Sequence, residues 1–293
     1  MGERRQSLGR RAAKAPRLEL PKGPQRERSD RRREAPQVES DSNQSTLIGR
    51  HPVREALRSG RPITRIWVQE GLKEGSLREI LGLARQQHLT VVEVPKPFLD
   101  RLAEGIPHQG IGAQVALKPM LNLEQLLDLV KASSNPLLYI LDGIQDPHNV
   151  GAIVRTADAT GATAVVMPER GASGLTAVVA KASAGAIEYV PVVRVTNLAQ
   201  AIDKLKQVGV FVFAADPTAS TLYTAVDWSG ASAIVIGGEG RGVRPLVRTR
   251  CDGLVKLPMM GQVASLNASN AACVIGFEVV RQRHAKKSVL TRL

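Results

Sequence analysis

Ile234-Val235-Ile236-Gly237-Gly238-Glu239-Gly240-Arg241-Gly242 is a β-branched apolar run that ends among four glycines. Such a run reads as a buried strand delivering a loop of bare backbone. Leu257-Pro258-Met259-Met260-Gly261-Gln262-Val263-Ala264-Ser265-Leu266-Asn267-Ala268-Ser269 repeats the design and then opens a helix. Glycine-rich loops leave N–H and C=O groups uncovered, which suits a flat polar ligand such as an adenosine held by main-chain hydrogen bonds. Either loop alone is also what an ordinary tight turn looks like.

Working upstream, Leu141-Asp142-Gly143-Ile144-Gln145-Asp146-Pro147-His148-Asn149-Val150-Gly151-Ala152-Ile153-Val154-Arg155 again runs from strand through polar loop into helix. Asn149 with Arg155 six residues on, the GGEGRG loop and the LPMMGQVASLNAS segment, in this order, resemble the three motifs of the SpoU (TrmH) branch of the SPOUT methyltransferases. Roughly residues 46 to 285 resemble the bacterial 23S rRNA guanosine-2′-O-methyltransferases of that branch, including His108-Gln109-Gly110 near the end of their small N-terminal domain. The resemblance implies an α/β fold with a parallel sheet and a C-terminal trefoil knot, one of the rare exceptions to unknotted topology. It also implies S-adenosyl-L-methionine held bent in that knot, a homodimer, and 2′-O-methylation of a guanosine ribose in 23S rRNA.

The residues themselves admit two readings at each position. Arg155 can hold the phosphate beside the reacting ribose and stabilise charge on the 2′ oxygen, or it can be a helix-surface residue paired to Asp158 or Glu169. Asn149 can orient the ribose or an active-site partner, or simply cap its helix. Glu239 can shape the glycine loop through an Arg or backbone clamp, or be a solvated turn carboxylate. Ser265 and Asn267 can position substrate or cap the last helix. The family match assigns all five to the catalytic group and makes Gly237, Leu257 and Leu266 the main-chain contacts to S-adenosylmethionine. Because those contacts are made by backbone, side-chain chemistry could not have revealed them.

Lys and Arg total 40 against 27 acids, a net charge of +13, so the surface should attract polyanions, with nucleic acid ahead of an anionic membrane. No run of 18 apolar residues exists and the first 30 residues lack an apolar core segment, so a cytoplasmic protein without a membrane span is expected. Cys251 and Cys273 supply neither a disulfide framework nor a metal set, and no metal is expected. Aromatic residues are only 3%, too few for the stacking platforms of single-strand binders, so phosphate contacts and a local base pocket must carry RNA recognition.

Residues 1–45 hold ten Arg and two Lys against seven acids, 12 − 7 = +5, with almost no large apolar residues. A disordered basic tail is expected, because burial cannot offset its ordering entropy. Residues 46–118 read as a small α/β domain, with a helix to Arg58, strands at 63–69, 90–94 and 112–117, and helices at 77–88 and 97–102; the resemblance implies that it is the family's RNA substrate-binding domain. His108 is there either a turn residue with a satisfied ring or an RNA contact. Residues 119–136 read as a linker with a helix at 123–132. Residues 137–285 alternate short apolar strands with helices, which requires a parallel sheet covered on both faces; residues 286–293 read as a basic C-terminal tail.

The first strand of that domain carries no G-x-G-x-x-G, and GGEGRG follows the fifth strand with about 50 residues left, too few for a Rossmann sheet behind it. The competing readings are a tRNA ribose methyltransferase of the same family and an RNA-binding protein without catalysis.

Overall fold

The computed structural model describes residues 44–72 and 75–290, with side chains as far as Lys286. The expected basic tail lies almost wholly outside these residues. Its boundary moves, because Gln44 and Ser45 already belong to strand β1 (Gln44–Ile48) and pair with Ala116 and Val115 of β4 (Ile111–Ala116). An apolar edge strand such as β4 would otherwise present an open row of N–H and C=O groups.

Between β1 and β4 come α1 (Arg50–Arg58), β2 (Ile63–Gln69), α2 (Ser76–Gln86), β3 (Val91–Val94) and α3 (Lys96–Ala103), close to the expected spans. The four strands form a sheet of order β1-β4-β2-β3, in which β2 and β3 run parallel and the other pairs antiparallel. Helix α4 (Leu123–Ala132) opens with a capping box in which Asn122 and Gln125 satisfy each other's backbone N–H.

The larger sheet contains β5 (Leu137–Asp142), β6 (Ala164–Pro168), β7 (Val192–Val195), β8 (Phe211–Ala215), β9 (Thr221–Leu222), β10 (Ser232–Gly237) and β11 (Gly253–Lys256). Their order is β7-β6-β5-β10-β8-β11-β9 and the strand pairings are all parallel. The helices are α5 (Pro147–Ala159), α6 (Ala177–Ala182), α7 (Leu198–Gln207), α8 (Pro245–Arg250) and α9 (Ala268–Leu290). Strand β9, expected as loop, is two residues long and pairs with Val255 and Lys256. Helix α9 continues to Leu290, so the expected C-terminal tail is helical through that residue; 291–293 lie outside the description.

Both faces of this sheet are buried, which explains strands without polar alternation. Leu137, Tyr139 and Leu141 of β5 and Ile234 and Ile236 of β10 pack with residues of α5 and α9. Leu138, Ile140, Ala233 and Val235 face the opposite way, into a layer that includes Leu126 of α4, Ile202 and Leu205 of α7, and Val247 of α8. A substitution such as Leu138→Ala would therefore open a cavity costing about 2–5 kcal/mol. Gly276 lets α9 cross this sheet: a Cβ there would lie 1.8 Å from the Tyr139 hydroxyl. That hydroxyl is hydrogen-bonded with Thr160 Oγ1 at 3.1 Å, and burial pushes its pKa upward.

The two sheets share a polar seam. Arg61 Nη1 and Glu188 Oε1 are 2.6 Å apart, and both side chains are buried. Lys118 donates to the carbonyls of Ile187 and Val190, Tyr189 OH donates to Glu55 Oε2 (2.8 Å), and Lys181 Nζ donates to Pro107 O (3.1 Å). Among the described residues no helix is long and apolar enough to cross a membrane.

Candidate active site

The parallel strands β5, β10, β8 and β11 deliver their C-terminal loops to one end of the sheet, where open α/β sheets bind ligands. At the end of β10 the backbone doubles back on itself. A Cβ on Gly237 would lie 2.1 Å from the Gly242 carbonyl carbon, and one on Gly238 would lie 2.4 Å from Gly143 O. Only glycine fits either position. The loop is closed by Gly242 N–H donating to Gly238 O and Gly238 N–H donating to Asp142 O, both at 2.9 Å.

Beside this loop lies a cavity of about 430 Å³. It is bounded by residues 237–240, by Leu257 and Met259, and by residues 264–267. The expected backbone contacts Gly237, Leu257 and Leu266 thus line one space, together with Glu239, Ser265 and Asn267. Asp216, Pro217 and Lys256 line it as well, and sequence reading missed them. Their loops carry no glycine cluster, and only the adjacency of β8 and β11 brings them there.

At the rim three side chains from three distant segments meet. Asn149 Nδ2 donates to Glu239 Oε1 at 2.7 Å, and Asn267 Nδ2 donates to Asn149 Oδ1 at 3.0 Å and to Glu239 Oε1 at 3.4 Å. Asn149 is only 5% exposed, so its amide is fixed by these partners. It is not the helix cap: Asp146 fills that place, with Oδ1 accepting from His148 N–H at 2.9 Å and Pro147 as the first helical residue. Asn267 does cap α9, its Oδ1 accepting from the backbone N–H (2.8 Å) and the hydroxyl (2.6 Å) of Ser269. Glu239 takes amide donors rather than an Arg clamp. Ser265 lines the cavity and has no hydrogen bond among the described residues.

Arg155 stands apart from this group. Six residues along a helix is a rotation of about 240° from Asn149, so the two side chains leave α5 on different faces. Arg155 is exposed, lies outside the cavity lining, and pairs with neither Asp158 nor Glu169 among the described residues. Within one chain Asn149, Glu239, Ser265 and Asn267 are therefore brought together at the cavity without it.

Asp142 received no role from the sequence. Buried at the end of β5, it accepts from Arg244 N–H at 2.7 Å and from Arg244 Nε at 2.6 Å. The carboxylate thus ties the start of α8 to the loop after β5. In the small domain, His108 proves to be a turn residue with a satisfied ring: Nδ1 accepts from Gly110 N–H, and Nε2 meets Asp100 Oδ1, each at 3.0 Å.

The apolar residues of α9 divide between core and surface. Ile275 and Val279 are buried in the chain's own core, whereas Val274 (38%) and the neighbouring Phe277 (48%) are exposed. Ala271 faces the cavity.

Comparison with known proteins places this geometry. Residues 136–277 match the SpoU rRNA Methylase family, and residues 46–121 match the family described as RNA 2'-O ribose methyltransferase substrate binding. A protein of Staphylococcus aureus (strain COL) that bears the name TrmH family tRNA/rRNA methyltransferase is 48% identical over 241 residues, covering 82% of this chain and 97% of that protein. A protein of the same name from Staphylococcus haemolyticus is 46% identical over 239 residues, covering 81% and 96%. Among solved structures, the SpoU methyltransferase AviRb from Streptomyces viridochromogenes, in complex with AdoMet, superposes with a TM-score of 0.70 at 26% identity, covering 83% of this chain and 92% of that one. Motif order, cavity and sequence similarity over both domains lead to one assignment: the chain belongs to the SpoU/TrmH family of tRNA/rRNA methyltransferases.

Proposed function

We propose that this protein transfers a methyl group from S-adenosylmethionine to the 2′-hydroxyl of a guanosine in 23S rRNA. The observation that carries the reading is the Asn149–Glu239–Asn267 network at the rim of a backbone-lined cavity. The cavity fits the cofactor on its own terms. Its volume suits a ligand of that size, and its wall at Gly237 and Gly238 has no room for a Cβ, which leaves main-chain groups to meet an adenosine. Gly237, Leu257 and Leu266 would hold it.

When bound, S-adenosylmethionine supplies a methyl carbon already activated by a positive sulfur. The protein's task is to align a ribose oxygen with that carbon and to manage the proton and charge of the hydroxyl. Glu239 Oε1 is occupied by two amides, while Oε2 has no partner among the described residues and is available to the ribose hydroxyl. Asn149 fixes the carboxylate, and Asn267, anchored as the cap of α9, fixes Asn149. Ser265 supplies a free hydroxyl at the same rim. Arg155 acts as the cation that holds the neighbouring phosphate and stabilises the developing alkoxide.

Since Arg155 does not reach the cavity of its own chain, the site is completed in a homodimer, with Arg155 entering the partner's site. The exposed Val274 and Phe277 of α9 support an apolar contact between copies. The insertion of β10 between β5 and β8, with β11 beyond, supports a C-terminal segment that threads back as a trefoil knot. Residues 46–118 would hold the RNA, 119–136 join the halves and 137–285 carry the chemistry. The basic ends, 1–45 and 286–293, would add sequence-independent attraction to phosphate.

The deciding experiment maps 2′-O-methyl nucleotides in rRNA and tRNA from cells with and without the protein. Loss of one guanosine mark in 23S rRNA is expected. A missing tRNA mark would move the substrate, and an unchanged map would favour the non-catalytic reading.

A further inference from the structure

The small domain has a second concavity, of about 760 Å³, under the His108-Gln109-Gly110 turn. Its wall includes Arg50, Lys96 and His108, its floor Leu72 and Ile106, and Gln69 reaches it from β2. The turn above it is built rather than loose. Gln109 adopts a left-handed backbone (φ +53°), which a non-glycine residue enters only when its surroundings require it. Gln109 Oε1 accepts from Arg50 N–H at 3.1 Å, and Gln109 O accepts from Arg50 Nε at 3.0 Å. A Cβ on Gly110 would press to 2.8 Å from Leu72 Cδ2.

The cations are arranged in two ways. Arg50 is anchored through Nε to Gln109 and through Nη1 to Ser76 Oγ (3.3 Å), so its guanidinium plane is fixed before any ligand arrives. Lys96, at the start of α3, is exposed and has no partner among the described residues. Among the described residues the one carboxylate of the wall, Asp100, is engaged by His108 Nε2. Gln69 spends its backbone N–H on Gly110 O (2.9 Å), but its side-chain amide has no partner among the described residues. A pocket with a pre-set guanidinium, a free ammonium, an aliphatic floor and one uncommitted amide matches a nucleotide, the amide being able to read a base edge.

Resting on the reading of the protein as an RNA methyltransferase, we infer that this pocket captures one unpaired nucleotide of the RNA, away from the ribose that is methylated. Its phosphate lies between Arg50 and Lys96, and its base lies on Leu72 and Ile106 within reach of Gln69. The pocket is tied to the larger sheet, because Lys181 of α6 holds Pro107 O and Arg61 pairs with Glu188 across the seam. Two anchored points at a fixed separation select RNA in which an unpaired nucleotide stands at a set distance from the target.

The test uses the full chain with Lys96→Ala and Gln69→Ala, both of which alter side chains with no partners among the described residues. The probes are deproteinised RNA from cells lacking the protein and a perfect RNA duplex of arbitrary sequence. RNA retention is measured against salt, and S-adenosylmethionine affinity and melting temperature are measured in parallel. Lys96→Ala should weaken binding to cellular RNA about tenfold and lower the slope of log affinity against log salt by about 0.7–0.9, the signature of one phosphate contact. Gln69→Ala should weaken it about fivefold with the slope unchanged, and should leave duplex binding unaltered. Cofactor affinity and melting should stay at wild-type values in both. Wild-type RNA affinity in both variants, or a Gln69→Ala loss equal on the duplex, overturns the pocket. These outcomes are read by binding alone; a wild-type chain that binds S-adenosylmethionine but methylates none of the cellular RNA instead overturns the enzymatic reading.

Discussion

Asp142 holds Arg244 twice, by its backbone N–H at 2.7 Å and by its guanidinium Nε at 2.6 Å, although the two residues are 102 positions apart in sequence. The carboxylate is fully buried, while the Arg244 side chain is 57% exposed. The backbone hydrogen bond, out of reach of solvent on the acceptor side, is therefore the stronger half of the clasp. Asp142→Ala should cost about 1–3 kcal/mol of stability through that lost bond and weaken S-adenosylmethionine binding at least tenfold, whereas Arg244→Ala, which keeps the backbone donor, should do less on both counts. Calorimetry with each variant checks the order; equal effects would mean that the surface ion pair holds the loop.

The Asn149–Glu239 contact is an amide donating to a carboxylate at 2.7 Å. Asn149→Asp exchanges that donor for a second negative charge in a buried position, so the two carboxylates repel and the Glu239 loop is displaced. Methyl transfer to RNA should fall at least about tenfold at neutral pH and recover in part as acid protonates one of the pair. A flat pH profile equal to wild type would separate Asn149 from the chemistry.

Arg155→Ala should lower methyl transfer at least about a hundredfold, the scale of one lost transition-state charge contact, and leave cofactor affinity near wild type. Mixing Arg155→Ala chains with Glu239→Ala chains should restore turnover, because a mixed dimer contains one site with both residues intact. No recovery would confine Arg155 to its own chain.

Arg61 and Glu188 meet with side chains only 11% and 3% exposed, and Arg61 also donates to Ala116 O and Ser45 Oγ. Glu188→Ala strands a buried guanidinium and should cost about 3–5 kcal/mol, seen as a lower melting temperature. The double replacement Arg61→Met with Glu188→Leu should recover most of that loss. If the single variant melts like wild type, the seam is not held by this pair.

Glu55 sits in the same seam. Burial pushes its pKa up, but the Tyr189 hydroxyl and the Arg54 guanidinium outweigh it, and the net direction is downward from 4.5. A carboxyl with a lowered folded pKa contributes stability that is present above its unfolded value and disappears as pH falls through the folded one. The wild-type chain should therefore lose its advantage over Glu55→Gln below about pH 4.5, and acid titration of melting temperature reads this directly. A difference between the two that does not change with pH would exclude the linkage.

The sequence by itself determined the class of the fold and two of the loops that line the cavity. Unbroken apolar runs such as 137–141 demanded strands buried on both faces, and bare glycine backbone at 237–242 marked the cavity wall, because those requirements are local and chemical. It could not show what depends on adjacency across the sheet. The β10–β5 pairing brings Asp142 to Arg244, and β11 beside β8 brings Asp216 and Lys256 to the cavity. The helical turn between Asn149 and Arg155 separates two residues that one motif presents together. Likewise, a two-residue strand such as β9, and the entry of Gln44 and Ser45 into β1, follow from a partner strand needing a neighbour rather than from their own side chains. Tertiary structure decided these points because hydrogen-bond partners between strands are chosen by the sheet order, and no single segment carries that order in its own residues.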